Sequence, residues 1–212
     1  MLRLTLKKKS IKENARFHKR QEILLSLDVK KFFDSITSDK VYKVFSSLGY
    51  QEDIVVMLTN LCCLNGCLPQ GAPTSPIISN IILKKFDDEV GKFTNEKKIR
   101  YTRYADDMTF SGDFNPGQII SFVKNRLYEL GLKLNEEKTR TRKKSQRQEV
   151  TGIVVNEKNA ATKISKKEDS SGNILYKKIW IRISYAILWY REEELSESFE
   201  RENPIWIIYK SV

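Results

Sequence analysis

Asp106 and Asp107 stand side by side in "RYADDMTF", residues 103 to 110, and Asp28 closes the apolar run of "EILLSLDV". Successive residues of a strand point to opposite faces. Two adjacent carboxylates therefore serve one side of a sheet only where the chain turns. At the tip of a hairpin, neighbouring side chains can project from the same sheet end, and Asp28 emerges beside them if its strand is a neighbour. Three aspartates gathered there repel one another unless a cation neutralises them. Mg²⁺ suits the task, since it takes oxygen ligands, usually one or two carboxylates completed by phosphates and water. Two such ions can activate a 3′-hydroxyl and stabilise a leaving pyrophosphate. For the Asp pair alone, a solvated turn is the plain alternative, because Asp is common in turns.

The rest of the composition suits a polyanionic partner. Lys and Arg number 38 against 27 Asp and Glu, a formal charge of +11, and such an excess draws polyanions. The charge is clustered: Arg3, Lys7, Lys8, Lys9, Lys12, Arg16, Lys19 and Arg20 face Glu13 alone, and Lys138, Arg140, Arg142, Lys143, Lys144 and Arg147 form a second block without an acid. These blocks could hold a nucleic-acid backbone by its phosphates; a merely solvated basic surface is the plain alternative. Cys62, Cys63 and Cys67, with His18 the one histidine, fall short of the usual four-ligand zinc set. Reduced thiols partly buried on a helix fit a cytoplasmic protein. No stretch approaches the length of a membrane span, and "MLRLTLKKKS" lacks the apolar core of a signal peptide.

The elements that must position the aspartates can be read from periodicity. "EILLSLDV" (22–29) reads as a buried strand with Asp28 at its C-terminal tip. Val41, Val44, Phe45 and Leu48 recur at helical spacing, with Ser38 as cap and Gly49 as stop. A second helix places Ile54, Leu58 and Leu61 on one face and ends at Asn65-Gly66. "CLPQGAPTSP" is a loop, after which Ser75 caps and Pro76 opens one long helix carrying Ile78, Ile82, Phe86 and Val90. "IRYTRY" and "MTFSG" form a hairpin about Ala105-Asp106-Asp107. Asn115-Pro116 opens a helix with Ile119, Val123, Leu127 and Leu130 inward and Gly131 at its end. "LKLN" and "EVTGIVVN" are expected as two further strands. The order is that of a βαββαβ, ferredoxin-like split unit, an α+β fold. Beyond residue 156, "KKEDSSG" reads as a loop, "IWIRISYAILWYREEEL" as one packed helix, and "NPIWIIYKSV" as an apolar tail.

"SLDVKKFFDSI", "LPQGAPTSPIISNIIL", "RYADDMTFSG", "GLKLNEEKT" and "VTGIVVN" follow one another as in bacterial reverse transcriptases, and the chain most resembles the retron type, with group II intron enzymes as relatives. "SIKENARFH" and "VTGIVVN" favour the retron lineage. The resemblance covers residues 10 to about 157 and implies a polymerase palm over 22–157, a basic remnant of fingers over 1–21 and a partial thumb-like segment over 158–212. It implies Asp28, Asp106 and Asp107 as catalytic metal ligands for two Mg²⁺ ions, replaceable by Mn²⁺, with the Val29 carbonyl as a further ligand. Phe33 falls at the steric-gate position that disfavours a 2′-hydroxyl, with Phe32 its core neighbour. Gln70 and Gly71 fall on the loop lining nucleotide and template, where Gly allows close backbone approach. Lys138 falls in the block that presents a basic group near the pyrophosphate, a solvated lysine of a charge run being the plainer alternative. Thr151 and Gly152 fall in the strand that grips the primer end, or in a plain core strand, and His18 either near RNA or, more simply, at the surface.

The implied function is RNA-directed DNA synthesis from deoxynucleoside triphosphates on a structured non-coding RNA, in anti-phage defence, in the cytoplasm and without a membrane. Only 27 residues precede Asp28, so most of the fingers segment is expected to be missing. A fragment, a second polypeptide supplying fingers or an effector, and a decayed gene each account for that. Two rivals remain: a non-catalytic RNA-binding remnant or maturase-like module that stacks bases on a sheet, and a palm-domain nucleotide cyclase, which the "LPQGAPTSP" loop disfavours.

Overall fold

The computed structural model describes residues 11–156 and, as backbone, the short strand Trp206–Ile207. The loop expected over 166–172 and the helix expected over 179–195 lie outside the described residues. Within the apolar tail, Trp206–Ile207 pairs parallel to the strand Arg100–Tyr104.

An antiparallel sheet of four strands organises the rest: β1 (Ile23–Asp28), β2 (Arg100–Tyr104), β3 (Asp107–Gly112) and β4 (Arg140–Lys143). Their spatial order is β4-β1-β3-β2, which two interleaved strand–helix–strand crossovers generate. The helices are α1 (Ile11–Phe17), α2 (Ser38–Ser46), α3 (Glu52–Cys62), α4 (Ser75–Ile82), α5 (Lys84–Glu96) and α6 (Pro116–Glu129). Alternation along β1 divides the sheet into two faces. Leu25, Leu27 and Val29 join Met108, Phe110 and Tyr101 in one apolar core, together with Val41, Val55, Ile78, Val90 and Val123 from α2 to α6. Leu24 faces the other way, into a smaller cluster with Ala15 of α1, Val150 and Val155.

Several local expectations change. The long helix expected through Ile78, Ile82, Phe86 and Val90 breaks at Leu83 (φ −86°, ψ 1°), giving α4 and α5; both segments still turn apolar residues to the core. On α3 the buried positions are Val55, Thr59 and Cys62, whereas Leu61 is 59% exposed. The inward face is therefore not the expected Ile54–Leu58–Leu61 stripe. Thr37 and Thr74, rather than Ser38 and Ser75, occupy the positions before α2 and α4. The Ser75 hydroxyl instead donates to the Pro69 carbonyl at 2.6 Å. Asn115 does cap α6, accepting from the Gly117 amide at 2.9 Å.

The C-terminal strands differ most. "LKLN" makes only an isolated bridge, Leu134 with Val29, and the fourth strand is the charged "RTRK" of β4, exposed at all four positions. Its backbone pairs with β1 from Ile23↔Lys143 to Ser26↔Arg140, and charged side chains are what an edge strand tolerates best. "EVTGIVVN" is not one strand but a hairpin of β5 (Glu149–Val150) and β6 (Ile153–Val154). Thr151 (φ 45°) and Gly152 (φ 81°) both lie in the left-handed region, as a two-residue hairpin turn demands.

Candidate active site

The hairpin tip resolves how adjacent carboxylates can serve one sheet. Tyr104 pairs with Asp107 across β2 and β3, leaving Ala105 and Asp106 as the two turn residues. Ala105 takes φ 53°, which reverses the chain so that only Asp107 belongs to a strand. On its other side Asp107 lies directly opposite Asp28. Residues opposite each other in an antiparallel pair share a face, so these two carboxylates stand together on the face turned away from the helical core. Asp106, half-buried in the turn, is tied to the end of β1 by its carbonyl, which accepts from the Val29 amide at 3.2 Å. Asp28, Asp106 and Asp107 are thus brought to one end of the sheet.

A segment that runs beside the end of β1 completes the site. The Lys30 amide donates to the Lys133 carbonyl (2.8 Å) and the Asn135 amide to the Asp28 carbonyl (2.7 Å). A short 3₁₀ turn, Glu136–Lys138, follows. Both oxygens of the Asp28 carboxylate are engaged: Oδ1 accepts from Asn135 Nδ2 and Oδ2 from Lys138 Nζ, each at 3.0 Å. Asp28 is buried while Lys138 reaches in from solvent. Lys138 is thus bonded to Asp28 rather than simply solvated. Asn135 was missed by sequence reasoning, although it sits three residues before Lys138 within the quoted "GLKLNEEKT".

Electrostatics mark this as a place where negative charge is crowded. Partial desolvation of this otherwise exposed carboxyl, then the charges of Asp106 and Asp28, push Asp107 up to about 6, against the pull of Lys138. Lys138 is raised above its ordinary value, first by its hydrogen bond to Asp28 and then by the charges of Asp28, Asp106 and Asp107. Burial and the charge of Asp107 likewise raise the Tyr104 hydroxyl. Among the described residues no three His, Cys, Asp or Glu side chains form a ready-made metal cage. The cross-strand pair Asp28–Asp107, with Asp106 beside it, fits a harder requirement: Mg²⁺ held by one or two carboxylates and otherwise by phosphate and water.

Apart from Leu24, the same face of the sheet is polar. Ser26 pairs with Thr109 and with Arg140, and Leu24 pairs with Ser111 and with Arg142. Thr102 lies opposite Thr109. Hydroxyls and small side chains thus line the centre, with guanidinium groups along the β4 edge. At the far end, about 13 Å from Asp28 at the usual rise of a strand, α1 and the β5–β6 hairpin stand over Leu24. Thr151 receives a long hydrogen bond from Asn14 of α1, 3.5 Å, and Gly152 is exposed. His18 corrects both readings made for it: it is fully buried, its ring bridging Ser111 Oγ (2.7 Å) and Thr102 Oγ1 (2.8 Å). Burial and the charge of Arg100 drive its pKa down to about 3. A lone histidine among basic residues gave no sign of this.

The remaining sequence candidates form a neighbouring group. Phe33 opens a 3₁₀ turn, Phe33–Ser35, and is half-buried; Phe32 is buried beneath it, the ring centroids 5.0 Å apart. The Leu68 amide donates to the Ile36 carbonyl at 3.0 Å, which holds the exposed Gln70 and Gly71 loop alongside the Phe33 turn. Gly71 adopts φ 89°, a conformation that favours glycine.

The four-stranded antiparallel sheet makes this an α+β domain like that of reverse transcriptases. The family model described as reverse transcriptase (RNA-dependent DNA polymerase) matches residues 2–155, and the chain belongs to that family. Retron-type enzymes are among its curated relatives. The Retron Ec86 reverse transcriptase of Escherichia coli is 37% identical over 153 residues, covering 71% of this chain and 48% of the relative. The Retron Mx65 enzyme of Myxococcus xanthus is 34% identical, covering 70% and 39%. The Retron Ec83 enzyme of Escherichia coli is 31% identical, covering 71% and 53%. The chain therefore spans about half, or less, of the length of these relatives. Among solved structures, an apo telomerase from Candida tropicalis superposes with a TM-score of 0.49 at 13% identity, over 63% of this chain and 34% of that one. No helix among the described residues is long and apolar enough to cross a membrane.

Proposed function

We propose that the chain carries the palm of a retron-type RNA-directed DNA polymerase, adding deoxynucleotides to a primer on a structured RNA template. The observation that carries this reading is the cross-strand pair Asp28–Asp107 with Asp106 at the adjoining turn, on the polar face of a basic protein. In this reading residues 22–157 are the palm, 1–21 the basic remnant of fingers and 158–212 a thumb-like part. Cytoplasmic placement and a role in phage defence belong to the same proposal.

Asp28, Asp106 and Asp107 would hold two Mg²⁺ ions, with the Val29 carbonyl as a further oxygen, and Mn²⁺ could replace them. The ions supply activation of the primer 3′-hydroxyl and charge stabilisation on the leaving pyrophosphate. The protein's own part is positioning. Asn135 fixes the Asp28 carboxylate through one oxygen, while Lys138, on the other oxygen, is free to swing toward a triphosphate once that oxygen is otherwise engaged. Phe33 would lie under the sugar and crowd a 2′-hydroxyl. Gln70 and Gly71 would line the nucleotide and template, and Arg140 and Arg142 along the sheet edge would meet phosphates. Thr151 and Gly152, at a hairpin tip, would contact the primer strand by backbone and hydroxyl.

Primer extension on an RNA template by the purified chain tests this reading. D106N/D107N is expected to abolish extension while retaining a cooperative melt; full activity in a folded double variant would remove these residues from the chemistry. The alternative of a non-catalytic RNA-binding remnant predicts RNA affinity indifferent to Mg²⁺ and no incorporation.

A further inference from the structure

Directly behind the hairpin tip, on the helical face of the sheet, lies an ion pair that the proposed chemistry does not use. Arg103 and Asp87 are each about fully buried, with 1% of either side chain exposed. Arg103 Nε donates to Asp87 Oδ1 at 2.8 Å and Nη2 to Asp87 Oδ2 at 2.6 Å. Nη2 also donates to Asn80 Oδ1 at 2.9 Å, and the Tyr101 hydroxyl donates to Asp87 Oδ1 at 2.8 Å. The guanidinium is thus held in one plane by α4, through Asn80, and by α5, through Asp87. Its remaining arm, Nη1, donates to the carbonyl of Ala105 at 2.9 Å.

Stability alone is a weak reason for such a pair. Desolvating two ions offsets much of their attraction, and apolar residues of similar volume commonly serve a core equally well. What an arginine offers and a hydrophobe does not is a rigid fork with directed donors. Here one prong reaches the turn that carries Asp106 and delivers Asp107 to its strand. Ala105 is a non-glycine residue at φ 53°, a left-handed conformation that L-residues leave readily unless held.

We propose that Arg103 is a positioning residue: clamped by Asp87 and Asn80, it holds the Ala105 carbonyl and so fixes the backbone from which Asp106 and Asp107 project toward Asp28. The proposal rests on the reading of those carboxylates as the polymerase's metal ligands. Without the clamp the Ala105-Asp106 turn relaxes, and the carboxylates lose their register while the sheet persists.

The test uses the whole chain, wild type against the apolar replacement D87L/Y101F/R103M and against R103K. Three measurements are made: hydrogen exchange of the peptide spanning the hairpin tip, Mn²⁺ affinity, and primer extension with primer–template affinity recorded separately. The apolar replacement is expected to melt cooperatively, yet to exchange the tip amides about tenfold faster, as a locally opened segment does. Its Mn²⁺ affinity should fall about fivefold and its kcat about tenfold, with primer–template Kd unchanged, the signature of lost alignment rather than lost binding. R103K should show the same pattern, because a compact ammonium cannot reach four acceptor oxygens spread over Asp87, Asn80 and Ala105. A folded replacement with wild-type exchange and Mn²⁺ affinity overturns the proposal. Should both variants fail to fold, N80A leaves the ion pair intact and removes one clamp contact; it is expected to raise tip exchange about two- to threefold, and a wild-type rate there is equally decisive against it. If the wild-type chain extends no primer, the polymerase reading fails, while exchange and Mn²⁺ binding still decide the role of Arg103.

Discussion

The two faces of one four-stranded sheet obey different rules. Toward the helices, Leu25, Leu27, Met108 and Phe110 are sealed into the core, and the charged Arg103 is paired there with Asp87. On the other face the same strands present Ser26, Asp28, Asp107 and Thr109, with Arg140 opposite Ser26 and Arg142 opposite Leu24 on the edge. One face is built to lower free energy. The other accepts crowded carboxylates, an arrangement that costs stability. The difference teaches that strand alternation is the device: a single register lets each strand contribute to folding and to chemistry at once.

Substitutions on the two faces should therefore separate stability from activity. On the core side, Phe110 is fully buried and stacked on Tyr101 at 4.9 Å. F110A is expected to cost about 3–5 kcal/mol, the usual range for an aromatic lost from a core, read by urea denaturation. A loss below 1 kcal/mol would mean that this face is not the stabilising one.

His18 gives a second contrast, since it is a core-like residue on the polar face. Its folded pKa of about 3 lies below its ordinary value of 6.5, so the unfolded chain takes up a proton that the folded chain refuses. The sign follows: stability contributed by neutral His18 is full above pH 6.5 and declines as pH falls toward 3, by about 1.4 kcal/mol per pH unit within that window. Between pH 6 and 4 the wild type should lose about 2–3 kcal/mol more than H18Q. Parallel pH profiles for the two proteins would contradict the buried bridge.

The smallest expected effect has the opposite sign. Asp107 has a folded pKa of about 6 against an ordinary 3.8, so the folded state holds its proton longer, and its ionisation lowers stability as pH rises from 4 through 6. At pH 8, D107N is expected to be neutral or stabilising by up to about 1 kcal/mol, allowing for solvent screening of an exposed carboxylate. A clear destabilisation at that pH would mean that Asp107 is structurally required rather than tolerated for function.

Much of the site was legible in the sequence because its signals are local. "RYADD" between two β-rich runs announces a turn, and Asp28 after "ILLSL" announces a strand end; pairing the two needs only the split strand order. What stayed hidden depends on tertiary partners. β4 is polar throughout, three of its four residues charged, with no periodicity to mark a strand paired by backbone alone. The break at Leu83 interrupts an apolar repeat that runs unbroken through it, with no Gly or Pro to mark the spot. On α3 two faces compete in apolarity, and packing against α2 decides between them. Arg103 sits between tyrosines in a basic chain and Asp87 in "FDDEV", so neither advertises burial.

The most direct measurement of the central claim is an Mn²⁺ titration of the metal-free chain followed by electron paramagnetic resonance, wild type against D28N/D107N. If the cross-strand carboxylates form a cation site, the wild type binds Mn²⁺ and the double variant, still melting cooperatively, loses at least about tenfold in affinity, as expected when both carboxylates of a one- or two-carboxylate site are removed. Equal affinity in the two folded proteins would contradict the account.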